Sequence, residues 1–123
     1  MATKPLHRYT VAESNNLKVS ETYLSQLITC SADDTFVESS DWAGGSTGPA
    51  KEVTIMLRSG DTDAVITIAL KIAGSYGDEI AILSSSLPLT IDRLIVDRIK
   101  IKTDDGSGSG SGTDEVFSIM SQH

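Results

Sequence analysis

The side chains most able to do chemistry in this chain are its acids, and they fall in pairs: Asp33-Asp34, Asp61 with Asp63, Asp104-Asp105 and Asp114-Glu115. Each pair sits among Gly, Ser or Thr, the composition of a turn. Oxygen-rich turns suit calcium, yet none of these pairs follows the EF-hand spacing. Solvated turn acids are the simpler expectation. Serine hydroxyls are plentiful, but no G-x-S-x-G elbow raises one as a nucleophile. His7 lies in a polar leading segment and His123 is the last residue, so neither is expected to be held as a general base. There is no P-loop, and no G-x-G-x-x-G ahead of a helix. The expectation is no catalytic residue, no cofactor and no metal, and a chain that is not an enzyme.

Two single residues need weighing. Cys30 is the only cysteine, so no disulfide forms within the chain. It reads as a small buried hydrophobe before it reads as a reactive thiol. Trp42 is the only tryptophan and lies in a loop, SSDWAGGSTGP, at residues 39–49. A loop Trp serves as a platform for sugar rings or a protein hot spot, or it folds back as a lid on the end of the core. It is kept as a candidate partner-binding residue.

Such residues need elements to hold them. The chain has 123 residues, enough for one domain. Apolar residues are 39% and aromatics only 5%, so the core must be built on Ile, Leu and Val. The stretch at residues 78–103, DEIAILSSSLPLTIDRLIVDRIKIKT, holds three short apolar runs, at 80–83, 87–91 and 94–101. None is long enough for an ordinary helix, and all suit strands with tight corners. Pro88 lacks an N–H, so its strand is an edge strand or begins there. In the last run Asp97 falls on the face of Ile95, Ile99 and Ile101. Either a bulge shifts the register there, or both faces are partly covered.

Earlier in the chain, residues 53–57 and 64–72 alternate apolar with polar, and with the turn at 59–63 they predict a hairpin. Gly74 to Gly77 reads as a second turn. Residues 23–30 read as a strand in preference to a short helix, and 35–38 as a short strand. Residues 106–112 alternate Gly and Ser, a flexible segment expected at a hairpin tip before a last strand at 116–120. Six to eight short strands about ten residues apart predict an all-β fold. The expected form is an antiparallel β-sandwich or small jelly-roll-like barrel at residues 17–123, with an extended N-terminal arm at 1–16.

The formal net charge is −7, which opposes nucleic-acid binding and anionic membranes and favours a partner with a basic face. The leading residues have no apolar signal segment, and no run approaches a membrane span. The arm is locally basic, with Lys4, His7 and Arg8, and these are candidate partner-binding residues against an acidic neighbour.

The second half resembles the capsid decoration, or cement, proteins of tailed bacteriophages. The residues that carry the resemblance are Gly77-Asp78-Glu79-Ile80, Leu87-Pro88-Leu89-Thr90-Ile91, and the run from Leu94 to Lys102, LIVDRIKIK. The resemblance spans roughly residues 53–120. It implies a virion structural protein on the capsid surface, assembled in the host cytoplasm. It also implies a homotrimer that binds the major capsid protein and has no catalytic residues. A carbohydrate- or receptor-binding module, or a neck or tail component, are the alternatives.

Overall fold

The protein is described by a computed structural model over residues 22–104 and 114–123. The expected arm, with Lys4, His7 and Arg8, and the Gly-Ser run at 106–112 lie outside the described residues. Nine strands form among the described residues: β1 Tyr23–Cys30, β2 Val37–Glu38, β3 Glu52–Ser59, β4 Val65–Ile72, β5 Ser75–Tyr76, β6 Ile80–Leu83, β7 Leu89–Ile91, β8 Arg98–Thr103 and β9 Glu115–Gln122. Ser84–Ser86 makes one 3-10 turn. A first sheet has the order β1-β9-β3-β7. A second has β2-β8-β4-β5, with β6 also beside β4, and every pairing is antiparallel. The expected β-sandwich is the observed fold.

The connectivity is more specific. The pairs nest: β1 with β9, β2 with β8, β3 with β7, and β4 with β5 and β6. This is one long antiparallel ribbon, rolled so that successive pairs alternate between the sheets. Such rolling is jelly-roll connectivity. Pairing of β3 with β9 and of β4 with β8 closes each sheet.

Period-two patterning supplies the core. Ile28 and Cys30, Val53 and Ile55, and Phe117 and Ile119 point inward from the first sheet. Ile66, Ile68, Leu70, Ile99 and Ile101 point inward from the second, and all are buried. Ile82 and Leu89 are half-buried against them. Ile80, expected in the core, is 44% exposed. It sits at the end of the short edge strand β6, opposite Ile68, where half its surface stays in water.

The predicted hairpin at 53–72 does not form. β3 and β4 alternate as expected, but they lie in different sheets, so the turn between them is a corner across the sandwich. Gly60 there has φ +129°, and a Cβ on it would lie 2.7 Å from the Glu115 carboxylate. The corner is tied to β9 by the Asp61 N–H, which donates to Glu115 Oε2 at 2.7 Å. Likewise β8 and β9, expected to pair as a hairpin, lie in different sheets and do not pair. A shortened connection must still span the roughly 10 Å between packed sheets.

The tight turn is Ala73-Gly74, with φ +53° and +87°, and residues 75–76 are already strand. Two consecutive positive φ values mark a type I′ turn. Pro88 directly precedes β7, an edge strand of the first sheet, as its missing N–H demands. The register break near Asp97 is also observed. Val96 is buried and bridges Ala50, Ile95 is 53% exposed, and β8 starts at Arg98. Asp97 stays at the surface, where Oδ2 accepts from the Gly74 N–H at 2.9 Å.

Two stability changes follow from these contacts. Ile68→Ala should lower the unfolding free energy by about 2–5 kcal/mol in urea titration, as for buried large-to-small changes. Ala73→Asn should raise it by about 0.5–1 kcal/mol, because Asn tolerates the left-handed backbone that Ala resists.

Candidate functional site

The outward face of the second sheet is where side chains of one chemical kind gather. β8 reads RIKIKT with Ile99, Ile101 and Thr103 buried, so Arg98, Lys100 and Lys102 point out. β4 contributes Lys71 on the same face, directly opposite Arg98. β2 and the residue before it add Glu38 and Phe36, and β5 adds Tyr76. Seven Lys and Arg residues fall in the described part of the chain, and four of them share this face.

The cations are interleaved with rings. Lys102 Nζ lies 4.9 Å from the centre of the Phe36 ring. Lys100 Nζ lies 4.3 Å from Phe36 and 4.3 Å from Tyr76, so it is held between two aromatic faces. Lys71 Nζ lies 5.9 Å from Tyr76. The row Lys102, Phe36, Lys100, Tyr76, Lys71 is a ladder of cation–π contacts across three strands; those at 4.3–4.9 Å are worth about 0.5–1 kcal/mol each at an exposed site, and the 5.9 Å contact of Lys71 lies at the limit of reach. Ala69 faces the same way and is fully covered, as expected where long aliphatic stems lie across a small residue.

Glu38 is the acid on the ladder. Its carboxylate accepts a 2.6 Å hydrogen bond from the Tyr76 hydroxyl and lies 3.8 Å from Arg98 Nη1. The bond from Tyr76 is the main cause holding the Glu38 carboxyl below its usual range, with Arg98, Lys71 and Lys100 adding to it. Burial, then the same hydrogen bond, pushes the Tyr76 phenol above the usual tyrosine range. Arg98 Nε also donates to the Ser39 carbonyl at 2.8 Å, which anchors the end of β2 to β8.

The other outward face differs. The first sheet presents Tyr23, Leu27, Ser118, Met120, Thr54 and Met56, without charge across its middle. The acids of the chain sit mostly at turns, as the sequence implied.

The residues singled out from sequence are placed differently. Trp42 is 3% exposed and lies edge-on to the His123 ring at 5.6 Å. The lid alternative describes it, and its indole offers no surface for ring stacking or for a partner. The lid closes because the Trp42 N–H bonds the Asp97 carbonyl, drawing the loop over the end of the core. His123 is not loose either. Its Nδ1 donates to the Gly48 carbonyl and its Nε2 lies 2.8 Å from the Ser121 hydroxyl. An open depression of 580 Å³ at this end is lined by Thr22, Thr47, Pro49, Lys51, Ile95 and His123, with no Phe, Tyr or Trp on its wall.

Cys30 is fully buried, and its thiol donates to the Ile101 carbonyl. Burial first, then the nearby Glu115 charge, pushes it up to about 11. Among the described residues no group of three His, Cys, Asp or Glu gathers to hold a metal ion. No helix there is long and apolar enough to cross a membrane.

No protein-family model matches this chain, and no curated protein matches it either. The ladder residues Phe36, Lys71, Tyr76, Arg98, Lys100 and Lys102 therefore stand on geometry alone. Their signal was present in the alternation of β8, whose apolar half announces the core and whose other half is basic.

Both shifted donors give pH predictions of one sign. A pKa raised by folding contributes stability below the unfolded value and loses it as pH rises through the folded one. Native stability should therefore fall between pH 9 and about 11 as Cys30 of the unfolded chain ionises, and Cys30→Ala should flatten that slope in denaturant titrations. In an alkaline absorbance titration, Tyr76 should ionise above the usual tyrosine range, and Glu38→Gln should bring it earlier.

Proposed function

We propose that this chain is a virion structural protein, a decoration protein of a tailed-phage head that binds the major capsid protein and works by association. The observation that supports it best is the sorting of charge. A molecule of net charge −7 gathers four cations on one sheet face, three of them in a ring-spaced row, and leaves the middle of the opposite sheet uncharged. That arrangement suits contact with two protein surfaces of different character, one acidic and one apolar or hydroxyl-rich. The jelly-roll connectivity is a frame used in viral shells, among other settings. A rigid sandwich with both outer faces available adds interface area across a joint between shell subunits, and so opposes the strain that would open it.

In this reading the assembled form is a homotrimer on the capsid surface, formed in the host cytoplasm. Lys4, His7 and Arg8 of the segment at 1–16 lie against an acidic neighbour. Trp42 takes no part, because it is buried in the subunit. The carbohydrate-binding alternative loses its stacking platform for the same reason.

The test is co-sedimentation of the full chain with heads lacking it, with sedimentation velocity of the free protein. The full chain should pellet with heads and sediment as a trimer. A version starting at residue 17 should keep its β-type circular dichroism but lose trimerisation or head binding. A full chain that stays in the supernatant at every concentration overturns the proposal.

A further inference from the structure

We infer that the ladder on the second sheet is a recognition site for an extended acidic segment of a partner protein, one with carboxylates at alternate positions. The inference deepens the decoration reading, on which its choice of partner rests, by naming the surface and the chemistry of what it grips.

The first argument is that this face holds repulsion that one acid, Glu38, relieves only in part. Lys71 stands directly across from Arg98, and Lys100 lies between them and Lys102. Like charges directly opposite on a sheet are destabilising. The chain has seventeen acids, and placing some here would remove the repulsion, yet among the described residues the ladder holds one, Glu38. Glu38 is already engaged by Tyr76 and Arg98. Carboxylates arriving from outside would therefore relieve a cost that the fold itself leaves in place.

The second argument is preorganisation. The two rings beside Lys100 and the one beside Lys102 fix where the ammonium groups stand, so less side-chain freedom remains to be lost on binding. Lys100 and Lys102 lie two residues apart on one strand, roughly 6–7 Å. An extended peptide presents its alternate side chains at the same interval.

The third argument selects a peptide over a nucleic acid. The basic run from Arg98 to Lys102 spans only about 13 Å. Acids close both ends: Asp104 follows β8 and the Asp34 N–H bonds Thr103, while Asp97 precedes β8 and is bonded by Trp42 beside Asp41. A duplex carrying a charge every ~1.7 Å would run over both acidic ends. Two or three carboxylates fit between them. Arg98 already gives its Nε–H to the Ser39 carbonyl and faces Glu38 with Nη1, so its side-on fork is taken and part of its charge is met within the chain.

The experiment uses the full chain and a ten-residue peptide alternating Glu and Ser. The peptide should bind in isothermal titration, with affinity that falls as salt rises, and should raise the thermal midpoint. Lys100→Gln with Lys102→Gln should weaken it about tenfold, the loss of two partly exposed ion pairs. Tyr76→Phe, which keeps its ring over Lys100, should bind nearly as well. Absence of peptide binding, or equal binding by the double Gln variant, overturns the inference. So does tighter binding of single-stranded oligothymidylate than of the peptide. Heads separate the two readings. If the chain decorates heads and the double variant decorates them equally, the ladder assignment fails and the decoration reading stands. If the chain binds the peptide through the ladder but no head, the reverse holds.

Discussion

The antiparallel pairing of β8 with β4 is the constraint on which both the core and the surface depend. Its register sets Ile101 against Ile68 and Ile99 against Leu70 on the inner face. The same register sets Arg98 against Lys71 and Lys100 against Ala69 on the outer face. A slip of one residue would bury three cations and expose the isoleucines, at the cost of unpaired charges in an aliphatic core. The hydrophobic requirement therefore holds the cations outward in one row. Their proximity is a by-product of core register that the rings of Phe36 and Tyr76 make orderly.

Most of the strands were legible because an aliphatic core leaves a clear period of two. β1, β4, β6 and β7 lie where alternation and short apolar runs put them, and Pro88 stands at the start of an edge strand. What alternation does not encode is the partner. Residues 53–57 and 64–72 look like two arms of one hairpin, because a corner between sheets and a hairpin turn use the same Gly and Asp residues. Here the corner wins because Gly60 and Asp61 pack on the Glu115 carboxylate of β9, fifty-four residues away from Asp61. The expected pairing of β8 with β9 fails for the same reason. Nested, long-range pairing of this kind is the part of a jelly roll that local pattern carries least.

The candidate site was legible in part. Cys30 was read correctly as a small buried residue. Trp42 had two readings, and burial under the loop decided for the lid. The basic ladder went unread because net charge averages over the whole chain, whereas recognition depends on which face a charge occupies. An acidic total points to a basic partner, while the organised charged surface among the described residues is itself basic. The alternation R-I-K-I-K contained this, once its polar half is read as a face in its own right.

The central claim is that the second sheet keeps repelling cations side by side, and Lys71 tests it most directly. Its contact with Tyr76 is the longest in the ladder at 5.9 Å, and its cross-strand neighbour is Arg98. The measurement is the unfolding free energy of Lys71→Gln against the parent chain as salt is raised. The account predicts a variant more stable by a few tenths of a kcal/mol at low salt, with the gain vanishing as screening removes the repulsion. A variant less stable than the parent by the same amount at every salt concentration would contradict it.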